Sequence, residues 1–215
     1  MTEYFNPTKT LEEYIDDKDI IGIHHLIRYK WAVEVLRDRK PRTIIDIACG
    51  AGYGSKMIAD VLPQSQVTGA DYDPAAVDFA RNTYQAPNLR YVKGDLMQWG
   101  DLGDYDCIVS FDTIEHIPHR ELALENIVTH CGYMLFSTPC GAPENNLNPI
   151  WDGHKIEYNS QSLIAFLGRY FRTIIDPEKP AWPHREIFLG IDYLLKYNPL
   201  ILMEPIRSNT SHFFE

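Results

Sequence analysis

The chain has 215 residues, 45% hydrophobic and 23% charged, with 30 Asp and Glu against 20 Lys and Arg and a formal net charge of −10. This length suits one domain, and ordinary composition excludes collagen, coiled coil and disorder, while no apolar run reaches the roughly 20 residues of a membrane span. The acidic balance argues against nucleic acid as a partner, since duplex binding depends on cationic contacts to phosphate.

Residues 1–19 read as a mobile arm, polar at its start and without a basic stretch followed by an apolar run, so no secretory signal is expected. A helix follows over 22–38, because Leu26, Tyr29, Val33 and Leu36 recur at helical spacing. Thr43-Ile44-Ile45-Asp46-Ile47 is a β-branched run ended by Gly50, and a helix over 56–62 comes next. Residues 66–70 form a second strand. Asp73 then caps a helix with Pro74 at its first position, running to about Tyr84. Residues 89–93 and 105–111 are the third and fourth strands, 118–128 a helix, and 133–138 the fifth strand. Asn159 caps a further helix that Gly168 stops. Residues 171–175 and 200–205 are the last two strands.

Strands alternating with helices predict an α/β fold, a doubly wound, mostly parallel sheet with helices on both faces. The chain reads as one domain over 1–215, with an arm and cap helix over 1–40, a core over 41–138, and an acceptor-side loop and last strands over 139–215. Cys49, Cys107, Cys131 and Cys140 include no Cys-x-x-Cys pair, and Cys107 sits in a strand. They read as buried thiols in a reducing, cytoplasmic setting.

In such a sheet, ligands bind at the carboxyl ends of the strands. The first strand runs into Asp46-Ile47-Ala48-Cys49-Gly50-Ala51-Gly52-Tyr53-Gly54, whose glycines alternate and do not follow the Gly-x-Gly-x-x-Gly spacing of dinucleotide binders. The second strand ends at Asp71, a carboxylate suited to a ribose diol; the third at Gly94-Asp95-Leu96; the fourth at Phe111-Asp112. These four motifs, in this order, resemble the class I S-adenosylmethionine-dependent methyltransferases over about residues 20–175. The resemblance implies a seven-stranded Rossmann-like sheet with the last strand antiparallel, and S-adenosylmethionine as cofactor. That cofactor carries two positive groups against one carboxylate and no phosphate, so carboxylates at the strand ends suit it. By the family pattern, Gly50 and Gly52 let the methionine portion lie close, with Asp46 at the head of the loop. Asp71 takes the ribose hydroxyls, Tyr72 covers the adenine, Asp95 accepts from the adenine amino group beside Leu96, and the Phe111 carbonyl receives the ammonium. Arg28, on the cap helix, pairs with the methionine carboxylate.

Methyl transfer from a sulfonium is an in-line displacement, accelerated by positioning, and a hydroxyl acceptor also needs a base. His116, just past the fourth strand, is chemically the best base. His154 and Tyr158, with Trp151, follow the fifth strand, where this family places acceptor-facing loops. The expectation is O-methylation of a small-molecule or glycan hydroxyl, with N-methylation and a non-catalytic cofactor-binding protein as alternatives. A sharper alternative lies in Asp112-x-x-Glu115-His116 with the distant His154, which looks like the metal site of RNA 2′-O-methyltransferases, where the first position is Glu. The shorter Asp112 and the absence of a basic run lead to the expectation of no metal and no RNA.

Overall fold

The computed structural model describes residues 5–140, 147–149, 153–174 and 200–205. Seven strands form one sheet: β1 (Thr43–Ile47), β2 (Gln66–Asp71), β3 (Leu89–Lys93), β4 (Tyr105–Phe111), β5 (Cys131–Ser137), β6 (Phe171–Ile174) and β7 (Leu200–Pro205). Their order is β3-β2-β1-β4-β5-β7-β6. β1 to β5 pair in parallel, and β7 runs antiparallel between β5 and β6. The sequence thus predicted the doubly wound class and the antiparallel last strand.

The central strands carry apolar residues on both faces because helices cover both. On one face Ile45, Ile108, Met134 and Phe136 pack with Leu124 and Ile127 of α5 (Arg120–His130) and Leu163 and Leu167 of α6 (Ser160–Leu167). On the other, Ile44, Val109 and Leu135 pack with Leu36 of α2 (Ile20–Arg39) and Ile58 of α3 (Tyr53–Val61). The remaining helix, α4 (Pro74–Thr83), is capped by the Asp73 side chain, which accepts from the Ala75 N–H at 2.8 Å.

Two expectations change. The segment taken as a mobile arm contains a helix, α1 (Leu11–Asp16). Thr10 and Glu13 form a reciprocal capping box, and Leu11 and Tyr14 are buried. Tyr14 lies against Gly22 of α2, where any side chain would collide with its ring. The helix predicted over 118–128 begins later, at Arg120, and a short 3-10 turn, Ile114–His116, lies between it and β4. That turn presents consecutive side chains in quite different directions, which matters at the site.

Gly54 shows how closely α2 and α3 approach. A Cβ there would fall on the Tyr29 ring, which is buried and hydrogen-bonded to Asp46. Gly54→Ala should therefore lower stability by about 1–3 kcal/mol, the usual cost of overpacking. Urea denaturation measures this, and a gain in stability, as helix propensity alone predicts, would contradict the packing described.

Candidate active site

The strand order reverses between β1 and β4, and at their carboxyl ends lies a cleft of about 530 Å³. This is where an open α/β sheet binds ligands. The loop after β1 forms one wall. Ala48 and Gly50 both have positive φ, at 62° and 54°. Such backbone turns the peptide groups toward the opening and is strained for any residue with a Cβ, so Ala48 carries a real cost. The Gly50 N–H is held by Asp71, whose Oδ2 accepts it at 2.9 Å while Oδ1 accepts the Asp73 N–H at 3.0 Å. Asp71 is buried, which raises its pKa. It therefore ties the loop to the end of β2 and also faces the cleft.

Tyr72, Asp95, Leu96 and Phe111 line the cleft as well. Tyr72 is exposed, Leu96 is buried, and Asp95 Oδ1 accepts the Met97 N–H at 2.8 Å. The Phe111 carbonyl accepts from the Thr113 hydroxyl at 3.1 Å. Arg28 reaches in from α2, almost wholly buried, and pairs with Asp112 Oδ2 at 2.5 Å. Asp112 Oδ1 accepts from the Ser137 hydroxyl at 3.0 Å, and its backbone φ is 48°. Several cleft residues carried no sequence signal: Phe5, which stacks on His25 with centroids 4.1 Å apart, and Tyr53, whose hydroxyl lies 3.3 Å from His25 Nδ1. Burial pushes His25 down to about 4.

Four expected site residues, Asp46, Gly52, His154 and Tyr158, are not among the residues that line the cleft. Asp46 is buried beneath the loop and accepts from Ser55 at 2.6 Å and Tyr29 at 3.1 Å. Burial raises its pKa to about 6. It braces α2 and α3 against β1. Gly52, at φ 87°, is needed for packing: a Cβ there would stand 2.6 Å from that of Ala80 and 2.9 Å from the Tyr91 ring. Tyr158 is a core residue. It is 3% exposed, stacks on Phe166, and its hydroxyl accepts from Arg120 Nε at 2.6 Å. The isolated bridge to Cys140 holds its backbone there. Trp151 lies outside the described residues.

Past β4, the 3-10 turn points Glu115 inward and His116 toward the cleft. Glu115 is fully buried, its Oε2 accepting from the Thr138 hydroxyl at 2.9 Å and its Oε1 having no hydrogen-bond partner among the described residues. Burial, then the charge of Asp112, raises its pKa strongly. His116 is half-exposed, with Nδ1 3.3 Å from the Gly153 carbonyl, and burial lowers its pKa from 6.5. His154 packs edge-on to His116, centroids 4.8 Å apart, and its Nδ1 lies 2.8 Å from Glu157 Oε1. Ligand atoms of Glu115, His116 and His154 lie within 4.8 Å of one another.

A family model described as a methyltransferase domain matches residues 44–132, the span from β1 to the start of β5. A malonyl-[acyl-carrier protein] O-methyltransferase of Bacillus cereus is 25% identical over 146 residues, 65% of this chain and 54% of the relative. A probable S-adenosylmethionine-dependent methyltransferase of Mycobacterium tuberculosis is 30% identical over 173 residues, 74% of this chain and 59% of the relative. The chain thus spans only about half the length of the first of these curated relatives (54%). Among solved structures, the plantazolicin methyltransferase BpumL, in complex with a monoazolic desmethylPZN analog and S-adenosylhomocysteine, superposes with a TM-score of 0.61 at 13% identity, covering 92% of this chain and 89% of that one. Together these likenesses support a class I S-adenosylmethionine-dependent methyltransferase. S-adenosylmethionine is the cofactor of that family.

Placing Tyr158 in the core generates a direct check. Tyr158→Phe removes the acceptor of a charged donor that keeps some solvent contact. Thermal unfolding should show a loss of about 0.5–1.5 kcal/mol, with methyl transfer per folded molecule unchanged. A fall in turnover without a fall in stability would return Tyr158 to the site.

Proposed function

We infer that the chain transfers the methyl group of S-adenosylmethionine to a hydroxyl oxygen of a small molecule or glycan. The observation that carries this reading is His116, an imidazole at the cleft whose environment favours its neutral form. A neutral imidazole gives the acceptor proton a way out. The O-methyltransferase name of the Bacillus cereus relative agrees with an oxygen acceptor. The formal net charge of −10 does not favour a nucleic acid in that role.

The cofactor lies along the loop after β1. Gly50 admits its methionine portion, and Arg28, steadied by Asp112, offers positive charge to the methionine carboxylate. Asp71 takes the ribose hydroxyls. Tyr72 and Leu96 enclose the adenine, and Asp95 accepts from its amino group. The Phe111 carbonyl receives the ammonium. The transferred methyl then points toward the end of the cleft where Thr113, His116, Ile117 and Pro118 stand. Displacement proceeds when the acceptor oxygen is held opposite the leaving sulfur.

Asp71→Ala should weaken S-adenosylhomocysteine binding by about 1.5–3 kcal/mol, the range for a hydrogen bond to a charged group. Calorimetry measures this, and unchanged affinity would move the cofactor site elsewhere.

His116→Ala should lower turnover by about 10²–10⁴-fold while cofactor affinity stays nearly constant. Because burial lowers the His116 pKa, its neutral form prevails above that value. The turnover of the wild-type chain should therefore be flat near neutrality and fall on acidification, with its midpoint below 6.5. A stopped assay across pH, with labelled cofactor and an identified acceptor, checks both. A limb that persists in His116→Ala would assign the proton to another group.

A further inference from the structure

Phe5, His25 and Tyr53 line one wall of the cleft, and neither the cofactor contacts nor the proton path uses them. Phe5 lies flat on His25, with centroids 4.1 Å apart and planes 8° apart. Tyr53 stands edge-to-face with Phe5 at 5.8 Å and with Tyr29 at 5.2 Å. Tyr29 in turn stands edge-to-face with Phe111, at the end of β4, at 5.2 Å. A continuous run of ring contacts thus leads from Phe5 to that strand end. The segment that carries Phe5 is tied down. Asn6 accepts from the Tyr84 hydroxyl at 2.5 Å, and the Thr8 N–H donates to the Tyr14 hydroxyl at 3.0 Å. Burial lowers the His25 pKa to about 4, so this ring is uncharged near neutrality. The wall therefore presents neutral ring surface. It shares one end of the cleft with His116, since burial lowers the pKa of both His25 and His116 and the Asp112 charge opposes the shift in both.

We propose that the acceptor is a phenol, its ring packed on Phe5, His25 and Tyr53 and its hydroxyl directed at His116. The proposal rests on the methyl-transfer reading above and narrows its acceptor from hydroxyls in general to aryl hydroxyls. Offset and edge-on ring pairs gain energy beyond the area they bury, so such a wall favours a flat aromatic guest. A sugar on the same surface brings several hydroxyls, each needing a partner once water is excluded. The Tyr53 hydroxyl is already engaged with His25, whose Nδ1 is 3.3 Å away. The cleft of about 530 Å³ must take cofactor and acceptor together, which keeps the acceptor small.

The proton chemistry agrees with the geometry. A phenol gives up its proton near pH 10, as tyrosine does, whereas an aliphatic hydroxyl resembles water, at about 15.7. An imidazole is a weak base, and the gap it must bridge is about six units smaller for the phenol. The phenolic oxygen bonds to the methyl carbon, and the C–S bond breaks with its electron pair left on sulfur. The phenolic proton passes to His116 and from there to solvent. The products are an aryl methyl ether and S-adenosylhomocysteine.

The test is calorimetric titration of the full chain, saturated with S-adenosylhomocysteine, with para-cresol and 2-naphthol, each paired with its fully hydrogenated alcohol, and with methyl glucoside. At least one phenol should bind about tenfold tighter than its hydrogenated partner and than methyl glucoside. With labelled S-adenosylmethionine that phenol should yield its methyl ether. Phe5→Leu, which keeps an apolar side chain, should lower phenol affinity about 2–10-fold and leave affinity for the hydrogenated alcohol and for S-adenosylhomocysteine nearly unchanged. Phe5→Tyr should restore phenol binding. Equal affinity for phenol and hydrogenated alcohol, a loss in Phe5→Leu that falls equally on both, or no methyl ether from a phenol that binds would overturn the proposal. S-adenosylhomocysteine affinity is measured on the same samples before any acceptor is added. Cofactor binding without phenol preference sinks this proposal alone, and absence of cofactor binding sinks the methyl-transfer reading on which it rests.

Discussion

Where β1 pairs with β4, successive crossovers turn away to opposite sides, so the loops leaving the two strands part and their backbone groups face open space. Everything that defines the site follows from that divergence. Asp71 and Asp95 arrive beside the opening because β2 and β3 pair outward from β1. Asp112 and the Glu115–His116 turn arrive because β4 ends on its other side. The register of a parallel ladder sets all these ends at one level, and burial on both faces keeps the register from slipping.

The opening must still be held in shape, and buried polar contacts accomplish this. Asp46, under the loop, receives hydroxyls from α2 through Tyr29 and from α3 through Ser55. Asp71 receives the Gly50 N–H. Both carboxylates lose hydration, and burial raises the pKa of each. The hydrogen bonds offset part of that cost and leave the loop over-determined. This is how a residue with a Cβ, Ala48, is kept at φ 62°. The same logic fits Asp112 at φ 48°, clamped by Arg28 and Ser137.

The two ends of the cleft differ in chemistry. The end beside β1, β2 and β3 is lined by backbone, carboxylates and apolar surface, suited to a ligand of mixed charge. The end beside the turn after β4 concentrates imidazoles and one buried carboxylate. Polar satisfaction is high at the first and incomplete at the second, and Glu115 Oε1 is where it fails. An unmet buried group in a native fold calls for an explanation, and this one lies beside His116 and His154.

Local chemistry made much of this legible from the chain alone. β-branched runs marked the strands, Asp73-Pro74 and Asn159 marked helix starts, and Asp71, Asp95 and Phe111 stood at strand ends because strands end in turns. These signals depend on neighbours a few residues apart. The Thr10–Glu13 capping box was equally local, yet the helix it starts is held by Tyr14 against Gly22, a contact of the tertiary structure. Tertiary packing also decided that Gly52 makes room for Ala80 and Tyr91, and that Tyr158 turns into the core toward Arg120. It also set ligand atoms of Glu115, His116 and His154 within 4.8 Å of one another, a grouping the motif resemblance had suggested without geometry. The loop after β5 folds against the turn after β4, with the Lys155 N–H donating to the Glu115 carbonyl at 2.6 Å, and this draws His154 beside Glu115 and His116.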